Sequence, residues 1–493
     1  MIVSNRLKNQ HLLWRAAFGP MAENAGSLDK ISQKDLWRLL VKTSAKQPQK
    51  IAVAENLADG LYKGVQDVIG MQKNEMSEDE KKMKAKDGKM RRQQYREELK
   101  SLNLMWLDEM INSESQLREK MSLFWHGHFA CRVINSYFQQ ELLQTIRTNA
   151  LENFGDLLKA VSKSPSMLQF LNNQQNRKKK PNENFAREVM ELFTMGRGNY
   201  SENDIKEAAR AFTGWGFNLQ GEFVFRKQFH DDGSKTFLGK TGNFNGDDIL
   251  NILLENKQTA YFISKKIYSY FVNEEITEEK VQWLSTRFHN NNYNIKNLLE
   301  DIFTSDWFYS ENNIGKKIKS PVELLAGMRR LLPLELDNDN AQLLFQKVLG
   351  QILFYPPNVA GWPGGKSWID SSTLMVRMQI PQVLTANESL SIRPKNDDDV
   401  NMGQLMDEEV RIRKNKQYID KGGSASIDWI LVNKIFASTA RDQLAQAIQD
   451  TLLQTKSRIP VSVFTKYLSI ESREIFIKSA IINTMSTPEY QLC

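Results

Sequence analysis

The sequence predicts a mainly α-helical protein, one large helical domain carrying a small β-hairpin or loop insertion. Three observations predict it. Apolar residues recur at helical spacing through most of the 493-residue chain. Capping and stop signals bracket these runs. Only "GEFVFRKQFHDDGSKTFLGKTGNFNG", residues 221–246, switches to short alternating runs with repeated glycines.

The elements follow in order. "LKNQHLLWRAAFG" places Leu7, His11, Leu12 and Arg15 close to i, i+4 spacing and stops at Gly19-Pro20. "SQKDLWRLLVKTS" opens with Ser32 as N-cap and sets Leu36, Leu39 and Leu40 on one face. Residues 73–100 are heavily charged and read as a solvated excursion, with a basic contact surface as the alternative. Residues 102–160 are strongly helical, most apolar in "LMWLDEMINSESQLREKMSLFWHGHF".

"NENFAREVMELFTMGRGNYSENDIKEAARAFTGW", residues 182–215, reads as two helices around a glycine turn. Asn182 is the expected N-cap. Phe185, Val189, Leu192 and Phe193 form the apolar stripe. On a wheel of roughly 100° per residue, Asn184, Glu188, Glu191 and Met195 form a ridge beside it. Gly196 and Gly198 end the first helix. Ser201 and Asp204 start the second as a capping box, with Glu207 and Arg210 paired at i, i+3.

Helices resume through "TAYFISKKIYSYFV" and "NIKNLLEDIFTSDWF". "YPPNVAGWPGGKSW" reads as a rigid loop. The expected organisation is a main domain over 1–388, a polar loop over 389–428, and C-terminal helices over 429–493 packing on the main domain.

Composition narrows the function. A net charge of +7 from 66 basic and 59 acidic residues is a weak bias over this length, with no basic, aromatic-interleaved stripe, so no nucleic-acid partner is expected. No membrane span is expected either, and the N-terminus lacks a signal-peptide pattern, which reads as cytoplasmic. Cys131 and Cys493 are too few for a disulfide framework and are expected to be free thiols. Phosphate-loop, dinucleotide, HExxH and serine-elbow motifs are absent.

Three segments carry candidate chemistry. In "LFWHGHFAC", His126 and His128 lie roughly 200° apart on a regular helix and converge only if the helix breaks at Gly127. They are either packed histidines or metal ligands. In residues 182–215, Glu188 and Glu191 either pair structurally with arginines such as Arg187 and Arg210 or supply an acid/base group to a cleft. In "FHDDGSK", His230 and Asp231 form either a metal or proton-transfer element or an aspartate-stabilised turn. Trp215, Trp362 and Trp368 are candidate ligand contacts, with burial of the rings as the alternative.

Together "HLLWRAAFGP", "LREKMSLFWHGHF", residues 182–215, "FHDDGSKTFLG", "KSPVELLAGMRRL", "PPNVAGWPGGKSW" and "STPEYQLC" resemble a bacterial family of unknown function, DUF1800. The resemblance implies a helical architecture and brings no established activity, cofactor or catalytic residue. It also implies a neighbouring gene product resembling sulfatases and alkaline phosphatases, with periplasmic co-export as the alternative to a cytoplasmic location. Two functions are expected from different classes. One is a metal-assisted hydrolase holding a divalent ion through His126, His128, His230 and Asp231, with Glu188, Glu191, Arg187 and Arg210 in catalysis. The other is a non-catalytic binding or escort partner of the sulfatase/phosphatase-like protein.

Overall fold

Short polar side chains set the helix starts in the computed structural model, which describes residues 3–55, 78–336, 338–386 and 425–493. Ser4 caps α1 (Asn5–Ala16) by accepting from the Leu7 amide. Ser32 caps α2 (Gln33–Thr43) through the Asp35 amide. The charged run continues as one helix, α3 (Glu78–Asn112), in which Tyr95 and Leu99 turn inward. Residues 73–77 lie outside the described residues.

The principal helices that follow are α4 (Gln116–His128), α5 (Ser136–Asn149), α6 (Phe154–Ser162), α7 (Asn184–Glu188) and α8 (Glu202–Ala211). Next come α9 (Gly246–Glu255), α10 (Lys257–Phe271), α11 (Glu278–Asn290), α12 (Ile295–Phe303) and α13 (Pro321–Leu331). The C-terminal part adds α14 (Ser371–Ala386), α15 (Leu444–Leu452) and α16 (Arg473–Met485). The protein is mainly α. No helix among the described residues is long and apolar enough to cross a membrane.

The insertion after α8 consists of two small antiparallel hairpins. β1 (Trp215–Phe217) pairs with β2 (Phe223–Phe225), and β3 (Lys235–Phe237) pairs with β4 (Lys240–Gly242). A third two-stranded sheet joins β5 (Leu334–Leu336) to β6 (Ala425–Ile427). The end of the expected polar loop is therefore a strand, held by pairing with a partner about 90 residues upstream that local composition does not reveal. Residues 389–424 of that loop lie outside the described residues.

Two details of residues 182–215 differ from expectation. Helix α7 starts at Asn184, with Glu183 at the cap position and no side-chain cap. Asn182 instead accepts the Asn184 amide in a local turn, while its own amide donates to Asn176. After Glu188 the backbone widens into a π-helical turn, Val189–Thr194, so a wheel of regular period loses register there. The capping box of Ser201 and Asp204 forms as read.

One large core cluster joins α1, α2 and α4–α12, including the fully buried Phe185, Val189, Met190 and Phe193. Each such side chain contributes roughly 1.5–3 kcal/mol. A second cluster unites α13 with α14, α15 and α16, so residues 429–493 share a core with a helix of the preceding segment.

Candidate functional site

A cleft of about 510 Å³ opens where the end of α4, helix α10, the start of α13 and the loop 358–368 meet. The loop reaches α4 by backbone contact. Gly361 adopts φ +82°, and a Cβ there would stand 2.4 Å from the Gly127 carbonyl oxygen, so only glycine allows this approach. The contact brings the Trp362 ring to 5.5 Å from His126. Trp362 and Trp368 both line the cleft.

Helix α4 runs unbroken through Gly127, with Phe129 as its C-cap. His126 and His128 therefore face different surroundings, and the convergence that needed a break at Gly127 does not occur. The cause is that the helix remains hydrogen-bonded through the glycine: the Phe129 amide donates to Trp125. His126 packs edge-on against Trp106 and Phe354, and its Nε2 accepts the Phe354 amide at 3.1 Å. Burial pushes its pKa down to about 3. Phe354 has φ +68°, a left-handed backbone unusual for a bulky residue.

His128 lines the cleft. Its Nε2 lies 3.2 Å from the Phe193 carbonyl, and its Nδ1 lies 3.1 Å from Lys266 Nζ. Lys266 also donates to the Leu192 carbonyl at 3.3 Å. Both carbonyls belong to the π-helical turn, whose last C=O groups have no partner within the helix and favour a cation. The long motif thus reaches the cleft through its backbone. Burial, then the adjacent Lys266 charge, holds His128 well below the ordinary histidine value despite the Phe193 hydrogen bond. Burial alone brings Lys266 down to about 8.

The floor carries a buried ion cluster. Glu323 receives the ammonium groups of Lys120 and Lys317 and, as the N3 residue of a capping box, the Ser320 amide at 2.8 Å. Burial opposes its ionisation, yet the two lysines outweigh that and keep its pKa well below the usual carboxylate range. Lys120 is brought down to about 8 by burial, which Glu323 only partly offsets. Lys317 also stands 4.0 Å from the centre of the Tyr270 ring.

The other predicted residues lie elsewhere. Glu188 and Glu191 do not line the cleft. Burial and then the charge of Glu191 raise the Glu188 pKa, while Glu191 accepts the Tyr200 hydroxyl at 3.0 Å. Arg187 pairs with Glu183 and, at 2.8 Å, with Glu202. Arg210 pairs with Glu207 at 3.0 Å and Asp231 at 2.8 Å. Asp231 also accepts the Gly233 amide, the turn-stabilising alternative noted for this loop. His230 Nδ1 lies 2.9 Å from the Thr213 carbonyl. Trp215 is buried against Phe212 and Phe223. Among the described residues, no group of three or more His, Cys, Asp or Glu is arranged to hold a metal ion.

Lys266, Lys317, Glu323 and Tyr270 escaped sequence reasoning. A signal for Lys266 exists: it sits between Ile263 and Ile267, with Phe262 and Tyr270 four residues to either side, so it lies on a largely apolar helix face.

The model of a family described as "Protein of unknown function (DUF1800)" matches residues 11–492. No curated protein matches, and no solved structure matches.

Proposed function

The chain belongs to the DUF1800 family, and from its cleft we propose that it binds a small, ring-bearing anion. One observation carries the reading. Among the described residues, Lys266 has no carboxylate within 4 Å: its ammonium is held by His128, the Leu192 carbonyl and the Phe262 ring, and the residue lines a cleft together with Trp362 and the largely buried Trp368. A cation held by neutral groups in a half-buried site is suited to an incoming anion, and indole faces suit a ring. Titrating tryptophan fluorescence with benzoate and phenyl phosphate tests this. Saturable binding is expected, weakened about tenfold or more by Lys266→Met, the loss of about 1.4 kcal/mol. Equal affinity in the variant would remove the reading.

Metal-assisted hydrolysis gains less support. Of the expected ligands only His128 lines the cleft, while His126, His230 and Asp231 are engaged elsewhere. A stoichiometric divalent ion in elemental analysis of purified protein would revive it.

An escort role is favoured by one separate feature. Ile430, Tyr467 and Ile470 in the C-terminal segment are about three-quarters exposed, at 74%, 75% and 73%. Co-purification with the sulfatase/phosphatase-like neighbour, lost on changing these residues to serine, is the expected result under that reading. Cell fractionation in the presence and absence of the neighbour would separate a cytoplasmic location from periplasmic co-export.

A further inference from the structure

The cleft holds a second charge without a close partner. Glu274 lines it, and its carboxylate lies flat against Gly365: a Cβ there would meet Oε1 at 2.3 Å and Oε2 at 2.5 Å. Gly365 has φ +55° and follows Gly364 at φ +71°. The turn therefore needs glycine for both its backbone and this contact. Among the described residues, no ammonium or guanidinium stands within 4 Å of Glu274. Arg15 acts on it only at longer range, because the guanidinium is committed to the carbonyls of Phe271, Val272, Asn313 and Cys493.

The remaining lining carboxylate, Glu323, is saturated by Lys120, Lys317 and the Ser320 amide. Among the described lining residues, Glu274 is thus the carboxylate without an ionic partner within 4 Å, and Lys266 is the partly buried ammonium without one; Lys366, also unpaired, is exposed on the loop. We propose that its ligand is a zwitterion of dipeptide length, with its carboxylate on Lys266, its amine on Glu274 and an aromatic side chain against the indoles. This rests on the anion-binding reading and names the ligand class.

The spacing fits that length. Lys266 and Glu274 are eight positions apart, with the first part of the interval in α10. The helical part, Lys266 to Phe271, rises about 7.5 Å at roughly 1.5 Å per residue, and the three residues beyond it add at most about 10 Å. Two extended residues span about 7 Å, and the two side chains close the remainder.

Calorimetric titration of the full chain with Gly-Phe, N-acetyl-Gly-Phe and Gly-Phe amide tests the proposal. Wild type is expected to bind Gly-Phe at least tenfold tighter than either blocked peptide. Glu274→Gln should reduce Gly-Phe to the affinity of the acetylated peptide while leaving that peptide unchanged. Lys266→Met should weaken both carboxylate-bearing peptides. Thermal melts of each variant matching wild type would show that the fold persists. If Gly-Phe and its acetylated form bind equally and Glu274→Gln changes neither, the zwitterion is overturned while anion binding stands. If no peptide binds and benzoate also fails, both readings fall.

Discussion

Lys266 Nζ lies 3.1 Å from Nδ1 of His128, and the opposite nitrogen of that ring faces the Phe193 carbonyl at 3.2 Å. A carbonyl only accepts, so Nε2 carries the proton and Nδ1 offers a lone pair to the ammonium. The π-helical turn thereby fixes the histidine tautomer, and the tautomer positions the lysine at the cleft.

This arrangement gives the binding site a pH limit. Burial lowers the Lys266 pKa to about 8 from an ordinary 10.5. The charged form prevails below about pH 8, so anion affinity should fall as pH rises through that value. Lys266→Arg keeps its charge far higher and should hold affinity flat to about pH 10. Benzoate titrations from pH 6 to 9.5 would show it. A wild-type curve as flat as that of the arginine variant would mean that Lys266 is not the anion's partner.

The Glu323 cluster should carry more stability than any surface pair. Glu323→Ala strands the buried Lys120 and Lys317 ammonium groups, a loss of about 3–5 kcal/mol. Glu202→Ala removes only the solvent-exposed pair with Arg187, which screening by water leaves with little effect on stability. Urea unfolding of the two variants gives the comparison. Similar midpoints would show that the lysines find other partners or lose their protons without cost.

Arg187 and Arg210, expected among catalytic groups, should behave as structural residues. Arg210→Ala leaves Asp231 and Glu207 without their cation. It should loosen the β3–β4 hairpin, because Glu207 also accepts the Thr236 amide at 2.9 Å. A cost of roughly 1–3 kcal/mol is expected for this partly buried, charge-assisted network, with benzoate affinity unchanged. A large drop in affinity at unchanged stability would restore Arg210 to the functional site.

What the sequence disclosed follows from how local each feature is. Ser32, Ser201 and the glycines around residue 197 act within one helical turn of themselves, so caps and stops were readable. Trp362 and Trp368 were readable as loop aromatics, and they line the cleft. The π-helical turn was not, because its sequence carries no local signal that separates a bond to the fifth residue from one to the fourth. Nor were the charges around the cleft: Lys120, Lys266 and the Lys317–Glu323 stretch come from three separate segments, and bringing them together is a property of the tertiary fold.

The His126–Phe354 contact should be a stability device and an acid-sensitive one. His126→Ala removes the acceptor of a buried amide held in a left-handed conformation and opens a void beside Trp106. A loss of about 2–4 kcal/mol is expected, with benzoate affinity retained in the folded fraction. The histidine titrates near 3 in the fold against 6.5 ordinarily. Between those values the unfolded chain binds a proton that the native state refuses. Stability is therefore lost as pH falls below about 6.5, by about 1.4 kcal/mol per unit for this group. His126→Gln cannot titrate, so the slope of unfolding free energy between pH 4.5 and 6 should be shallower by that amount. An unchanged slope would place the acid sensitivity in other groups, with His128 and His11 the next to test, since burial lowers both.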